Sequence, residues 1–180
     1  MGERISFSPE LLEFEQVAVS HSDLEKCIRF YYGQPSLQAL DSKFVGYSVA
    51  EVEQERDQRL EDLDKNSAFN VLGALEASFR IDFLMRCYNR NKDELSRFFR
   101  DLHREKGDKI SLEEDILEGW KTCFPPTKSL ISDLKAAFRY RHWLAHGRYW
   151  TPKLGKKYDF SSLYLLAQAI DQQLSFQSSK

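Results

Sequence analysis

Apolar residues recur along this chain with a period of three to four over most of its length. The clearest stretch is residues 67–90, with apolar residues at 69, 72, 75, 79, 83 and 87, which predicts one face of a helix. Start and stop signals divide the rest. Ser8-Pro9-Glu10 reads as a helix start with proline at the first helical position, and Ser22-Asp23 as a second start for a helix ending at Gly33. Ser48-x-x-Glu51 is a capping box that opens a charged helix, Glu51 to Asp64. A helix from Asp93 to about Lys106 is stopped at Gly107, and Ser111-x-x-Glu114 opens another, stopped by Pro125-Pro126. The last two helices span about 128–146, ended by Gly147, and about 161–175. No strand pair and no internal repeat is visible. The expectation is all-α: a helical bundle formed by residues 67–180, preceded by a helical extension over residues 1–66.

Charge sharpens that division. The formal net charge is −2, but residues 1–66 hold 14 acidic against 7 basic side chains, and residues 67–180 hold 14 against 19. From Leu134 to Tyr158 there is no acid, while Lys135, Arg139, Arg141, Arg148, Lys153, Lys156 and Lys157 are basic. Such a strip is a solvated face or the footprint of phosphate contact. Three widely spaced cysteines, Cys27, Cys87 and Cys123, form no CxxC and suit a reducing compartment. No apolar run reaches the ~18 residues of a membrane span and the first ten residues lack a signal-peptide core, so a cytoplasmic protein without membrane contact is expected.

Two charges break the helical pattern. Arg141 falls in the apolar stripe of Leu130, Leu134, Ala137, Phe138, Leu144 and Ala145, and Glu76 falls among Phe69, Leu72, Phe79 and Phe83. A buried unpaired charge costs several kcal/mol. Either the two pair inside the bundle, or the bundle opens here and Arg141 addresses an anion. His142 and His146 lie one turn apart on the flank of the same helix. An H-x-x-x-H pair can hold zinc, but Trp143 stands where a zinc-protease helix carries glutamate, and Arg139 and Arg141 would repel a dication. No metal or other cofactor is expected.

Arg141-His142-Trp143-Leu144-Ala145-His146 is an R-x4-H motif followed by Gly147-Arg148-Tyr149. With a polar residue after the arginine, apolar residues between, a position at the end of a late helix and a basic loop beyond, residues 67–175 resemble the HEPN family. Its members are compact helical domains, many of them ribonucleases of toxin–antitoxin and phage-defence systems. The resemblance implies a metal-independent endoribonuclease acting as a homodimer, with RNA as substrate and with a possible cognate antitoxin or regulatory protein. It implies Arg141, His146 and His142 as the catalytic set, RNA contacts from Arg139, Arg148, Lys153, Lys156 and Lys157, and Glu76 as polar support. Members paired with a minimal nucleotidyltransferase antitoxin commonly carry tyrosine two residues after the histidine. This chain has Arg148 there, and Tyr149 one residue later. The alternative is a non-catalytic HEPN-like module that binds a nucleotide, RNA or protein. On an ideal helix Arg141 and His146 point about 140° apart, which favours unwinding at Gly147 or a site shared between two chains.

Overall fold

The computed structural model describes residues 6–177, and all regular structure among them is helical. In chain order the α-helices are α1 (Phe14–Gly33), α2 (Pro35–Leu40), α3 (Val49–Asn89), α4 (Glu94–Lys106), α5 (Leu117–Cys123), α6 (Lys128–Ala145) and α7 (Phe160–Gln173). The all-α expectation holds. No helix among the described residues is long and apolar enough to cross a membrane.

The spine is α3, 41 residues and about 60 Å long at 1.5 Å per residue. The capping box at Ser48 forms as expected, with Ser48 Oγ accepting from Glu51 N and Glu51 Oε2 accepting from Ser48 N at 2.7 Å. The separate helices expected at 51–64 and 67–90 are, however, one. Nothing between Asp64 and Ser67 breaks a helix: Lys65 reaches back to Glu61 at 2.5 Å, and the buried Ser67 hydroxyl pairs with His21 Nδ1 at 2.9 Å. The division at residues 66 and 67 therefore falls inside a helix, and Phe14 and Val17 of α1 belong to the same hydrophobic cluster as the later helices.

The two helix starts in the first thirty residues are also corrected. Ser8 Oγ accepts from Glu10 N in a local turn, which spends the cap without starting a helix. Ser22 and Asp23 lie within α1, where Asp23 faces Lys26 as a surface pair at 3.4 Å. A smaller cluster of Tyr32, Phe44 and Val52 joins the end of α1 to the start of α3.

The main core lies where the second half of α3 meets α4 to α7, around Leu72, Phe79, Phe99, Trp120, Leu134 and Ile170, all at most 1% exposed. Ser111 caps the next segment by accepting from Glu114 N at 3.2 Å. Glu114 does not complete the box; Asp115 takes the Ser111 N–H instead, at 2.8 Å. The first turn that follows, Leu112–Ile116, is a π turn, a form often found at functional sites.

Packing between α4 and α5 requires a glycine. A Cβ on Gly119 would stand 2.7 Å from ring carbons of both Phe98 and Phe99, and Phe99 is fully buried. Gly119→Ala is expected to destabilise the fold by about 1–3 kcal/mol through overpacking. A urea unfolding midpoint lowered with unchanged slope is the expected reading. All three cysteines are free, and burial pushes the Cys87 thiol up to about 11, away from thiolate chemistry.

Candidate functional site

Helix α6 ends in a Schellman turn. Arg148 N donates to Trp143 O at 3.2 Å and Gly147 N to Leu144 O at 3.4 Å, with Gly147 at φ +75° and Arg148 at φ +60°. Glycine suits the first of these left-handed positions; arginine at the second is unusual. The loop is then drawn back by the Trp143 indole N–H, which donates to Trp150 O at 2.6 Å. This termination leaves His146 at the end of the helix, exposed, rather than carrying it further round the axis.

As a result Arg141, His142 and His146 line one cleft of about 340 Å³, together with Glu76 and Arg80 of α3 and Ser111 and Glu113 before α5. Two chains are not needed to bring Arg141 and His146 to the same space. The His142 and His146 rings lie 4.2 Å apart between centroids.

The two out-of-place charges meet. Arg141 Nη1 lies 2.9 Å from Glu76 Oε2 as a charge contact, without the alignment of a hydrogen bond, and Glu76 Oε1 accepts from Arg80 Nε at 2.9 Å. The Arg141 guanidinium also sits 5.5 Å from the Phe69 ring centre, a cation–π contact. Its Nε is buried without a hydrogen-bond partner among the described residues. Both alternatives drawn from the sequence are therefore present together: an Arg141–Glu76 pair, and an opening beside it. The pair is one-third exposed on the arginine side, so solvent screens it and its contribution to stability is small.

The basic strip is less bare in space than along the chain. Arg148 lies 3.6 Å from Asp62, Lys156 3.5 Å from Asp133, and Lys135 2.8 Å from Glu118. Arg139, Lys153 and Lys157 are exposed and have no carboxylate within 4.0 Å among the described residues. Arg139 and Lys153 line a second cavity, about 330 Å³, which shares Glu113, Phe138 and His142 with the first. Arg148 lines a third hollow, with Lys65 and Phe69 of α3, which shares only Ala145 with the first cleft. Thus Arg141, His142, His146 and Glu76 gather in one place, Arg139 and Lys153 border it, and Arg148, Lys156 and Lys157 do not line it.

The sequence does not mark Arg80, Ser111, Glu113 or Trp150 as residues of this site. Arg80 could have been marked, since it stands four residues after Glu76 on the same helix face. Glu113 comes to the cleft through the π turn and the packing of a distant segment, for which no local pattern exists. Among the described residues no group of three or more His, Cys, Asp or Glu side chains is placed to hold a metal ion. The chain matches no protein-family model, no curated protein and no solved structure.

Proposed function

We propose that this protein is a metal-independent endoribonuclease of the HEPN type, a toxin or phage-defence effector that cuts RNA by attack of the 2′-hydroxyl. The observation that carries the reading is the single cleft lined by Arg141, His142 and His146. His146 accepts the proton of the 2′-hydroxyl, whose oxygen then bonds to the adjacent phosphorus. Histidine suits this because it exchanges protons near neutrality. As the P–O5′ bond breaks, protonated His142, one turn back, supplies a proton to the leaving oxygen. Arg141 and Arg80 face the charge that builds on the non-bridging oxygens, where a guanidinium fork grips phosphate well. The products are a 2′,3′-cyclic phosphate and a 5′-hydroxyl. A homodimer and a cognate antitoxin remain implications of the family resemblance alone.

One observation favours the alternative, a module that binds RNA, a nucleotide or a protein without cutting. Glu76 already lies against Arg141, and Glu113 adds a second carboxylate to the same cleft. Incubating the purified protein with total RNA in excess EDTA separates the two. Cleavage that persists in the chelator and leaves cyclic-phosphate ends is the expected result. Activity that vanishes and returns only with a divalent ion would contradict the mechanism, and binding without any cleavage would leave the module.

A further inference from the structure

We infer that the second cavity is a base-recognition subsite for guanine in single-stranded RNA, with Glu113 as the specificity-determining residue and Trp150 as the stacking surface. The inference rests on the ribonuclease reading for its substrate class, but its binding test stands apart from cleavage. The cavity opens directly beside the cleft, across His142, and is about 330 Å³. That is at the lower end of small-molecule sites, about 300–1,000 Å³. Its walls are those a base needs. Phe138, Pro152 and Trp150 are apolar or aromatic, Trp150 lies 5.9 Å from the His142 ring, and its backbone is fixed by the bond from Trp143. Flat aromatic surfaces beside a phosphate cleft hold unstacked bases of single strands. Lys153 and Arg139 border the cavity and supply charge for a flanking phosphate.

Glu113 settles which base. It lines both cavities, and its side chain makes no hydrogen bond or ion pair with the other described residues. A bare carboxylate in a phosphate cleft repels the backbone, so it needs a donor from the ligand. Ionised, it only accepts hydrogen bonds, with two oxygens side by side. Guanine alone offers two adjacent donors on its Watson–Crick edge, N1–H and the N2 amino group. Adenine and cytosine each set one amino donor beside a ring-nitrogen acceptor, and uracil sets its single N–H between two carbonyls. A carboxylate meets a repelling lone pair in each of those cases.

The test uses short single-stranded oligonucleotides bearing 2′-O-methyl groups throughout, identical except for one guanine, adenine, cytosine or uracil in a uniform background. They keep the base edges and lack the attacking hydroxyl, so the intact protein binds without cutting. Fluorescence anisotropy should show the guanine oligonucleotide binding about 5- to 150-fold tighter, the discrimination of one good bidentate pair. Glu113→Gln should remove that preference, because an amide pairs with either kind of edge. Trp150→Ala should weaken all four by about 5- to 150-fold, the loss of one stacked base. Equal affinity for the four, a guanine preference that survives Glu113→Gln, or no binding at all would overturn the inference. Guanine-selective binding by a protein that leaves unmodified RNA uncut would keep the subsite and remove the ribonuclease. Cleavage with no base preference would do the reverse.

Discussion

Replacing Arg86 by alanine is expected to lower the free energy of unfolding by about 3–5 kcal/mol, the usual effect of stranding one member of a buried ion pair. Asp82 is fully buried and Arg86 is 5% exposed. Arg86 Nε lies 2.9 Å from both Asp82 oxygens, Nη1 donates to Asp93 at 3.2 Å, and Nη2 donates to Ser175 O at 2.8 Å. Asp82 also accepts from Gln177 N at 2.7 Å, and the guanidinium lies 5.1 Å from the centre of the Trp120 ring. One arginine thus joins α3 to the cap of α4 and to the segment after α7. Burial pushes the Asp82 carboxyl above the ordinary range, against the opposing pull of the Gln177 amide and Arg86. Without Arg86 that buried carboxylate loses its one charged partner among the described residues and keeps the Gln177 amide.

The sign of the pH dependence follows. A carboxyl raised above its unfolded value favours the folded state once protonated, and that advantage is lost as pH rises through the folded pKa. The Arg86→Ala deficit should therefore be largest near neutrality and shrink as pH falls through the carboxylate range. Replacing Asp82 and Arg86 together by leucine should recover most of the loss, because no charge is left stranded. Urea midpoints for the single and double variants at two pH values check this. Equal, small losses for both would show that the network contributes little.

The sequence made the helical class plain, because apolar spacing and capping residues are local signals. The capping box at Ser48 and the Gly147 stop behave as read, and the helix expected from Asp93 begins there, with Asp93 as its cap. Ser8, Ser22 and Asp23 carry the same residue types without starting helices, because a hydroxyl or carboxylate can equally close a local turn or face a surface lysine. The join of the two halves of α3 is hidden for the opposite reason: the polar stretch at residues 64–67 interrupts the apolar period but holds no residue that breaks a helix. Arg141 and Glu76 were legible as a pair because each breaks an apolar stripe. The buried Asp82–Arg86 pair was not, since i and i+4 charges of opposite sign are usual on helix surfaces and only the return of Ser175 and Gln177 covers this one. The strip from Leu134 to Tyr158 is acid-free along the chain because the acids that face it, Asp62, Glu76, Glu114, Glu118 and Asp133, lie outside it in the sequence.

Replacing His146 by alanine is the second change with a large expected effect, and here the effect is on function alone. His146 is exposed at the end of α6, and what fixes the turn is backbone bonding around Gly147, which alanine leaves intact. Stability should change by no more than about 0.5 kcal/mol. The chemistry should suffer far more. Loss of a positioned proton acceptor typically costs about 10²–10⁴-fold in rate. In the proposed mechanism His142 donates its proton to the leaving oxygen, so it would not also replace His146 as the acceptor. The deciding measurement is the single-turnover rate of cleavage of one single-stranded RNA in EDTA, for wild type and His146→Ala, with circular dichroism showing both folded. The account predicts cyclic-phosphate ends from the wild type and a rate at least about a hundredfold lower from the variant. A folded His146→Ala protein that cuts as fast as the wild type would contradict it.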